Sequence, residues 1–170
     1  NLFIDNTYFC GTAAGAACTV TAGQADLSEM TQIIGEAEDY PDGTVVAVVA
    51  DGIKAEKASK DNKNYLGIAT DRGQFLGQNA VGLGQEAIDD SATGMPLKDF
   101  EKKWKVRRIA IAGYVKARVN NENGEVKAGD LIAVADEPGF AKKASAGDQV
   151  IGRARMSSAS STDLIEVVVG

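Results

Sequence analysis

Asp26 and Glu29 stand three residues apart in the segment 23–35, Gly-Gln-Ala-Asp-Leu-Ser-Glu-Met-Thr-Gln-Ile-Ile-Gly. On a helix, that spacing puts both carboxylates on one face. A close carboxylate pair is a minimal acid–base set, because repulsion and a dry site keep one group protonated while the other ionises. The same residues also fit a structural use. An aspartate N-cap with a glutamate at N3 forms a capping box that satisfies free N–H groups of the first turn. The residues alone leave both uses open.

The remaining composition narrows the chemistry. The 170 residues include no histidine, which removes Ser-His-Asp and Cys-His catalysis and most zinc centres. A general base must then be a carboxylate, a lysine or an unusual serine arrangement, and Ser28 has no evident base partner. Cys10 and Cys18 are open to a disulfide within the chain, a bond between chains, or two free thiols. Their spacing fits neither a Cys-x-x-Cys redox motif nor a zinc knuckle. Gly73, Gly77, Gly82, Gly84 and Gly94 mark a glycine-rich loop, but it lacks both GxGxxG and a Gly-Lys-Ser/Thr ending. No cofactor or metal is expected. The net charge of −6 disfavours nucleic acid, whose phosphates call for a basic surface. No apolar run approaches the roughly 18 residues of a membrane helix. No signal peptide is visible, and a first residue of Asn1 suggests a fragment or a processed product.

The elements that must position these groups read as mainly β. Residues 1–10 suggest strand–turn–strand. Residues 11–23 are nearly all small, which suits either packing against an intertwined copy of the chain or a flexible linker. Leu27, Met30, Ile33, Ile34 and Ala37 recur at helical spacing, predicting a helix over 26–39, although Thr31, Ile33, Ile34 and Gly35 also permit an extended chain. Strands are expected at 44–50, 53–59, 65–70, 106–120, 131–135, 140–144, 150–156 and 164–169, separated by Gly, Pro, Asn and Asp turns. Over 106–120 one set of alternating residues, Ile109 to Val119, should face a core, and the Arg108 set should become polar toward its end. Residues 71–104 read as a long loop with a short helix at 96–104 that places Leu97, Phe100 and Trp104 together. Lys102-Lys103 and Lys142-Lys143 read as solvated faces. Trp104 and Tyr114 read as core or rim residues, with sugar stacking as the alternative.

The body is duplicated. Gly43 to Ser59, followed by Leu66-Gly-Ile-Ala69, matches Gly129 to Ser145, followed by Ile151-Gly-Arg-Ala154. Gly43 corresponds to Gly129, Lys57-Ala58-Ser59 to Lys143-Ala144-Ser145, and Gly67 to Gly152, at an offset of about 86 residues. One such unit cannot cover both faces of its own sheet. The expectation is a compact barrel or clip-like β domain over 26–170. It would hold two pseudo-repeats, about 43–70 and 129–156, joined by loop 71–104, with one or two short helices and an N-terminal arm at 1–25 serving as an oligomer contact or fibre junction.

Ala25-Asp-Leu-Ser-Glu29, Val45–Ala50 with Lys54–Ser59, Gly73-Gln-Phe-Leu-Gly77, Ile109-Ala-Ile-Ala-Gly113-Tyr-Val-Lys-Ala117, Lys127–Leu131 and Glu137–Ala144 follow one another in a familiar order. So do Val150–Ala154 and Leu164–Val167. Over roughly 24–169 the chain resembles a C-terminal domain of phage tail and neck appendages and of large bacterial surface fibre proteins. The resemblance implies a trimeric β-rich domain, in a virion or at a cell surface, that helps three chains register. Its partners would be copies of itself and other virion or fibre proteins. In some relatives this domain is an intramolecular chaperone that cuts itself off just before the motif aspartate. Carried over, the bond is Ala25–Asp26, with Asp26 and Glu29 as the catalytic carboxylates. Leu27, Ser28 and Met30 depart from the aromatics usual in self-cleaving relatives. A receptor- or glycan-binding tip using loop 71–104 is the remaining expectation.

Overall fold

The computed structural model describes residues 25–71, 75–76, 83, 85–92 and 94–170. The readings made on residues 1–24, including Cys10 and Cys18, and on Gly73, Gly77, Gly82 and Gly84 lie outside the described residues. The described elements are β1 (Ala25–Ile33), β2 (Val45–Val48), β3 (Lys54–Lys57), β4 (Tyr65–Ala69), β5 (Phe75–Leu76), α1 (Gln85–Ala92), α2 (Leu97–Trp104), β6 (Val106–Asn120), β7 (Leu131–Val134), β8 (Ala141–Lys143), β9 (Val150–Ala154) and β10 (Thr162–Val169). The domain is mainly β, as the sequence implies.

The expected helix over 26–39 is replaced by strand β1 and a 3₁₀ turn at Ala37–Asp39. Helical spacing lost to pairing: β1 runs antiparallel along β6 from Ala25 opposite Tyr114 to Gln32 opposite Val106. A short helix is marginal in water, whereas this ladder satisfies a whole strand's backbone and lets the β-branched Ile33 enter a core. A capping carboxylate does occur, but it is that of Asp39, which accepts from the Glu36 N–H at 3.1 Å.

The duplication extends further than its sequence signal. In the first unit, β3–β2–β4 pair antiparallel; in the second, β8–β7–β9 do the same. Each unit carries a register shift at an equivalent place, between Val46 and Ala47 and between Ile132 and Ala133. A parallel neighbour flanks each: Ile33 lies opposite Ala55, and Val119 opposite Ala141. An antiparallel neighbour closes each: Ala69 lies opposite Ile109, and Ala154 opposite Val167. The first unit is therefore β1–β2–β3–β4 with the start of β6. The second is the end of β6 with β7–β8–β9–β10. The 15-residue β6 belongs to both. Its strand neighbours close a circuit of pairings on either side, through β4, β2, β3 and β1, and through β8, β7, β9 and β10.

Gly43 and Gly129 start the two units with φ of +87° and +92°, a left-handed conformation that glycine adopts without strain. Each N–H donates to the matching strand end, at Ala69 O and Ala154 O, at 2.8 Å. The first unit holds a core of Ile33, Tyr40, Val46, Ala55, Ala69 and Ile109. A larger core joins the second unit's interior to Val45, Ile68 and Ala110 of the first.

α2 covers the start of β6, and all of Val106–Ala110, Arg108 included, is buried. The reading of Lys142 as part of a solvated face is corrected, because Lys142 is buried and held by Glu122 at 2.7 Å. α2 forms at the expected place, and α1 is an addition to what had read as loop.

Candidate functional site

β1 puts Asp26 opposite Gly113 and Glu29 opposite Ile109, with a bulge between Leu27 and Ser28. Three residues of extended chain span about 10 Å, against about 5–6 Å between i and i+3 neighbours on a helix. The helical face that would have brought the two carboxylates together is absent, and with it the capping box they would have made. Glu29 is exposed. Ser28 is buried in the strand. Among the described residues, no group of three or more His, Cys, Asp or Glu is placed to hold a metal ion.

The densest charge cluster lies where α2 covers β6. Arg107 donates from Nε to Tyr40 O at 2.9 Å, and its two terminal nitrogens reach Thr70 O at 3.1 Å, Glu101 Oε1 at 3.0 Å and Asp71 Oδ1 at 2.7 Å. Glu101 Oε1 also accepts from the Arg108 N–H at 3.1 Å and Arg108 Nε at 3.4 Å. Partial burial of Asp71 opposes ionisation, but the Arg107 guanidinium overrides it and holds the carboxyl below its ordinary value. A cleft of about 270 Å³ opens beside this cluster. With its nitrogens engaged by carbonyls and carboxylates, Arg107 ties α2, β6 and the end of β4 together and is not presented to a ligand.

A different surface is open. Tyr114, Val168, Arg153 and Leu131 lie directly opposite one another across β6, β10, β9 and β7, and all four are exposed. A groove of about 400 Å³ runs here, lined by Tyr65, Ile111, Leu131, Val150, Arg153 and Val168 among others. The Tyr65 hydroxyl is buried and makes no hydrogen bond among the described residues, and burial pushes its pKa upward. The Arg155 guanidinium stacks 4.4 Å from the Tyr114 ring centroid and pairs with Glu166 at 2.5 Å. The surface is thus a largely apolar strand face with Arg153 in its row and a charged pair at its border, which is suited to contact with another surface.

Sequence reasoning placed Tyr114 at a core or rim, with sugar stacking as the alternative, and missed the rest of this row. Leu131, Val150 and Val168 read as ordinary alternating strand residues, and only the equivalence of the two units gives them meaning. Trp104, expected at core or rim, is half-buried and donates from Nε1 to Asp90 at 2.8 Å.

No protein-family model and no curated protein matches the chain. Solved structures do. The chain is similar to the pre-mature bacteriophage phi29 gene product 12, with a TM-score of 0.51 and 15% identity over 86% of this chain and 21% of that one. A C-terminal fragment of the same gene product gives 0.49 and 15%, covering 85% of this chain and 100% of the fragment. The N base of the phi29 head fibre gp8.5 gives 0.44 and 12%, covering 85% and 93%. These likenesses concern the fold.

Proposed function

We propose that the chain is a structural subunit of a phage virion surface or of a comparable extracellular assembly, a fibre or appendage module that works as a homotrimer. The likeness to gene product 12 along 86% of this chain carries the reading. The chain spans only 21% of that protein, which fits a module that recurs within longer assembly proteins. The described residues add support: the buried charges Glu101, Arg107, Arg108 and Lys142 are paired with one another or with neighbouring carboxylates, and an open sheet face carries the exposed Tyr114, Val168 and Leu131. Sedimentation velocity on the intact chain tests the proposal. A trimer is expected, and a monomer that persists to high micromolar concentration is incompatible with it.

A second reading is favoured by one observation. Ala25 and Asp26 are the first described residues of β1, and hydrolysis between them leaves the ladder from Asp26 onward whole. In that reading Asp26 and Glu29 serve a single-turnover cleavage in which water adds across the peptide bond, with a carboxylate of a neighbouring copy available to complete the pair. Intact-mass measurement on freshly folded protein decides it. A fragment beginning at Asp26 in wild type that vanishes in Glu29→Gln supports it, and an unbroken wild-type chain rejects it.

A further inference from the structure

Both β units present the same cross-strand row. In the first unit it is Ser28, Ala110, Ile68 and Val45. In the second it is Tyr114, Val168, Arg153 and Leu131. The first row is completely buried, at 0% for each residue, while Tyr114, Val168 and Leu131 are 48%, 38% and 42% exposed. The cover on the first row is the second unit. Val45, Ile68 and Ala110 share a core with Val115, Ile151 and Val169. The β7–β8 turn docks beside them: the Gly139 N–H donates to Ala58 O at 2.8 Å, and Gly139 O accepts from the Val45 N–H at 3.0 Å.

A two-fold arrangement would bury both rows alike. Unequal burial means that the units meet head to tail, and a head-to-tail contact leaves one such surface open per chain until further copies close it. We infer that the Tyr114–Val168–Arg153–Leu131 face, with Val150, seats a second copy of this chain. The inference rests on the assembly reading above and names the surface that performs it. The face continues an interface type the chain already uses internally, with Tyr114, Val168 and Leu131 around an Arg153 that donates to Gly129 O, and the Arg155–Glu166 pair at its border; aromatic residues and arginine are enriched at protein interfaces.

The rival occupant is the chain's own residues 1–24, because Ala25 lies opposite Tyr114 at the end of the row. The test is sedimentation of the intact chain, with Leu131→Glu and Val168→Glu compared with wild type and with Lys102→Glu, an exposed position on α2. Circular dichroism checks that each variant is folded. The expected result is that wild type and Lys102→Glu associate equally, while either row variant associates at least about tenfold more weakly. Row variants that are folded and associate like wild type overturn the inference and leave the assembly reading standing. A monomeric wild type overturns both, and protection of Tyr114, Leu131 and Val168 from hydroxyl-radical labelling in that monomer assigns the face to residues 1–24.

Discussion

Gly67 and Gly152 are the same position in two copies of one unit, and each lies against a carbonyl of the next strand. A Cβ on Gly67 would fall 2.4 Å from Ala110 O, and one on Gly152 would fall 2.3 Å from Val168 O. Neither glycine is there for a left-handed turn. Each sits where the backbone of the neighbouring strand comes too close for any side chain.

The two sites differ in what else surrounds them. At Gly67 the buried Ile109 Cγ2 atom would lie 2.6 Å away, whereas at Gly152 the buried Val169 Cγ1 atom would lie 3.1 Å away. Gly67→Ala should therefore cost more than Gly152→Ala, with both in the overpacking range of about 1–3 kcal/mol or above. Urea unfolding of the two variants measures the order. Equal costs would show that the second unit is as rigid as the first.

Glu101 neutralises two buried guanidinium groups through one oxygen. Removing the charge from one member of a buried ion network leaves the others uncompensated, at about 3–5 kcal/mol. Glu101→Gln should reach that range. Asp71→Asn should cost clearly less, because Asp71 is exposed to water and Arg107 keeps its other acceptors. Chemical denaturation of both variants tests the ranking.

Much of this fold was legible from particular residues. The strand of Val106–Asn120, the glycines that begin each repeat and the short helix at Leu97–Trp104 all carry local signals that tertiary packing reinforces. β1 was not legible as a strand, because Leu27, Met30, Ile33 and Ala37 keep helical spacing and the partner that overrides it lies some eighty residues away in β6. Lys142 reads as solvated from the sequence because burial of a charge depends on its partner, here Glu122. The open row was invisible for a related reason. Val45 and Leu131 occupy equivalent positions with similar side chains, and only the three-dimensional arrangement decides which of them is covered.

Acid should weaken the fold through carboxyls that it holds ionised. Asp130 is kept low by the Lys127 N–H and then by Lys143, and Asp163 by the N–H groups of Ala159 and Leu164. A folded value below the unfolded one of about 3.9 gives stability that is complete above that pH and is lost as pH falls through the lower folded value. Thermal melts should hold level down to about pH 5 and then fall through the carboxylate range. Asp130→Asn should start less stable at neutral pH and fall less steeply, and a slope equal to wild type would remove Asp130 from the account.

Alkali should act through Tyr40. Burial first, and then the charges of Glu56 and Asp39, raise its pKa to about 12. Here the sign is reversed: the stability is complete below the unfolded value of about 10 and is lost as pH rises through the folded value. Tyr40 also donates to Ile34 O at 2.5 Å. Tyr40→Phe should therefore lose about 1 kcal/mol at neutral pH but decline less than wild type as pH rises past about 10. Tyr65 makes the contrast, since burial raises its pKa too while its hydroxyl bonds nothing among the described residues. Tyr65→Phe should soften the alkaline decline without the neutral-pH loss. Denaturation midpoints for both variants at neutral and alkaline pH measure this, and a neutral-pH loss for Tyr65→Phe as large as that for Tyr40→Phe would mean that the Tyr65 hydroxyl is bonded in solution.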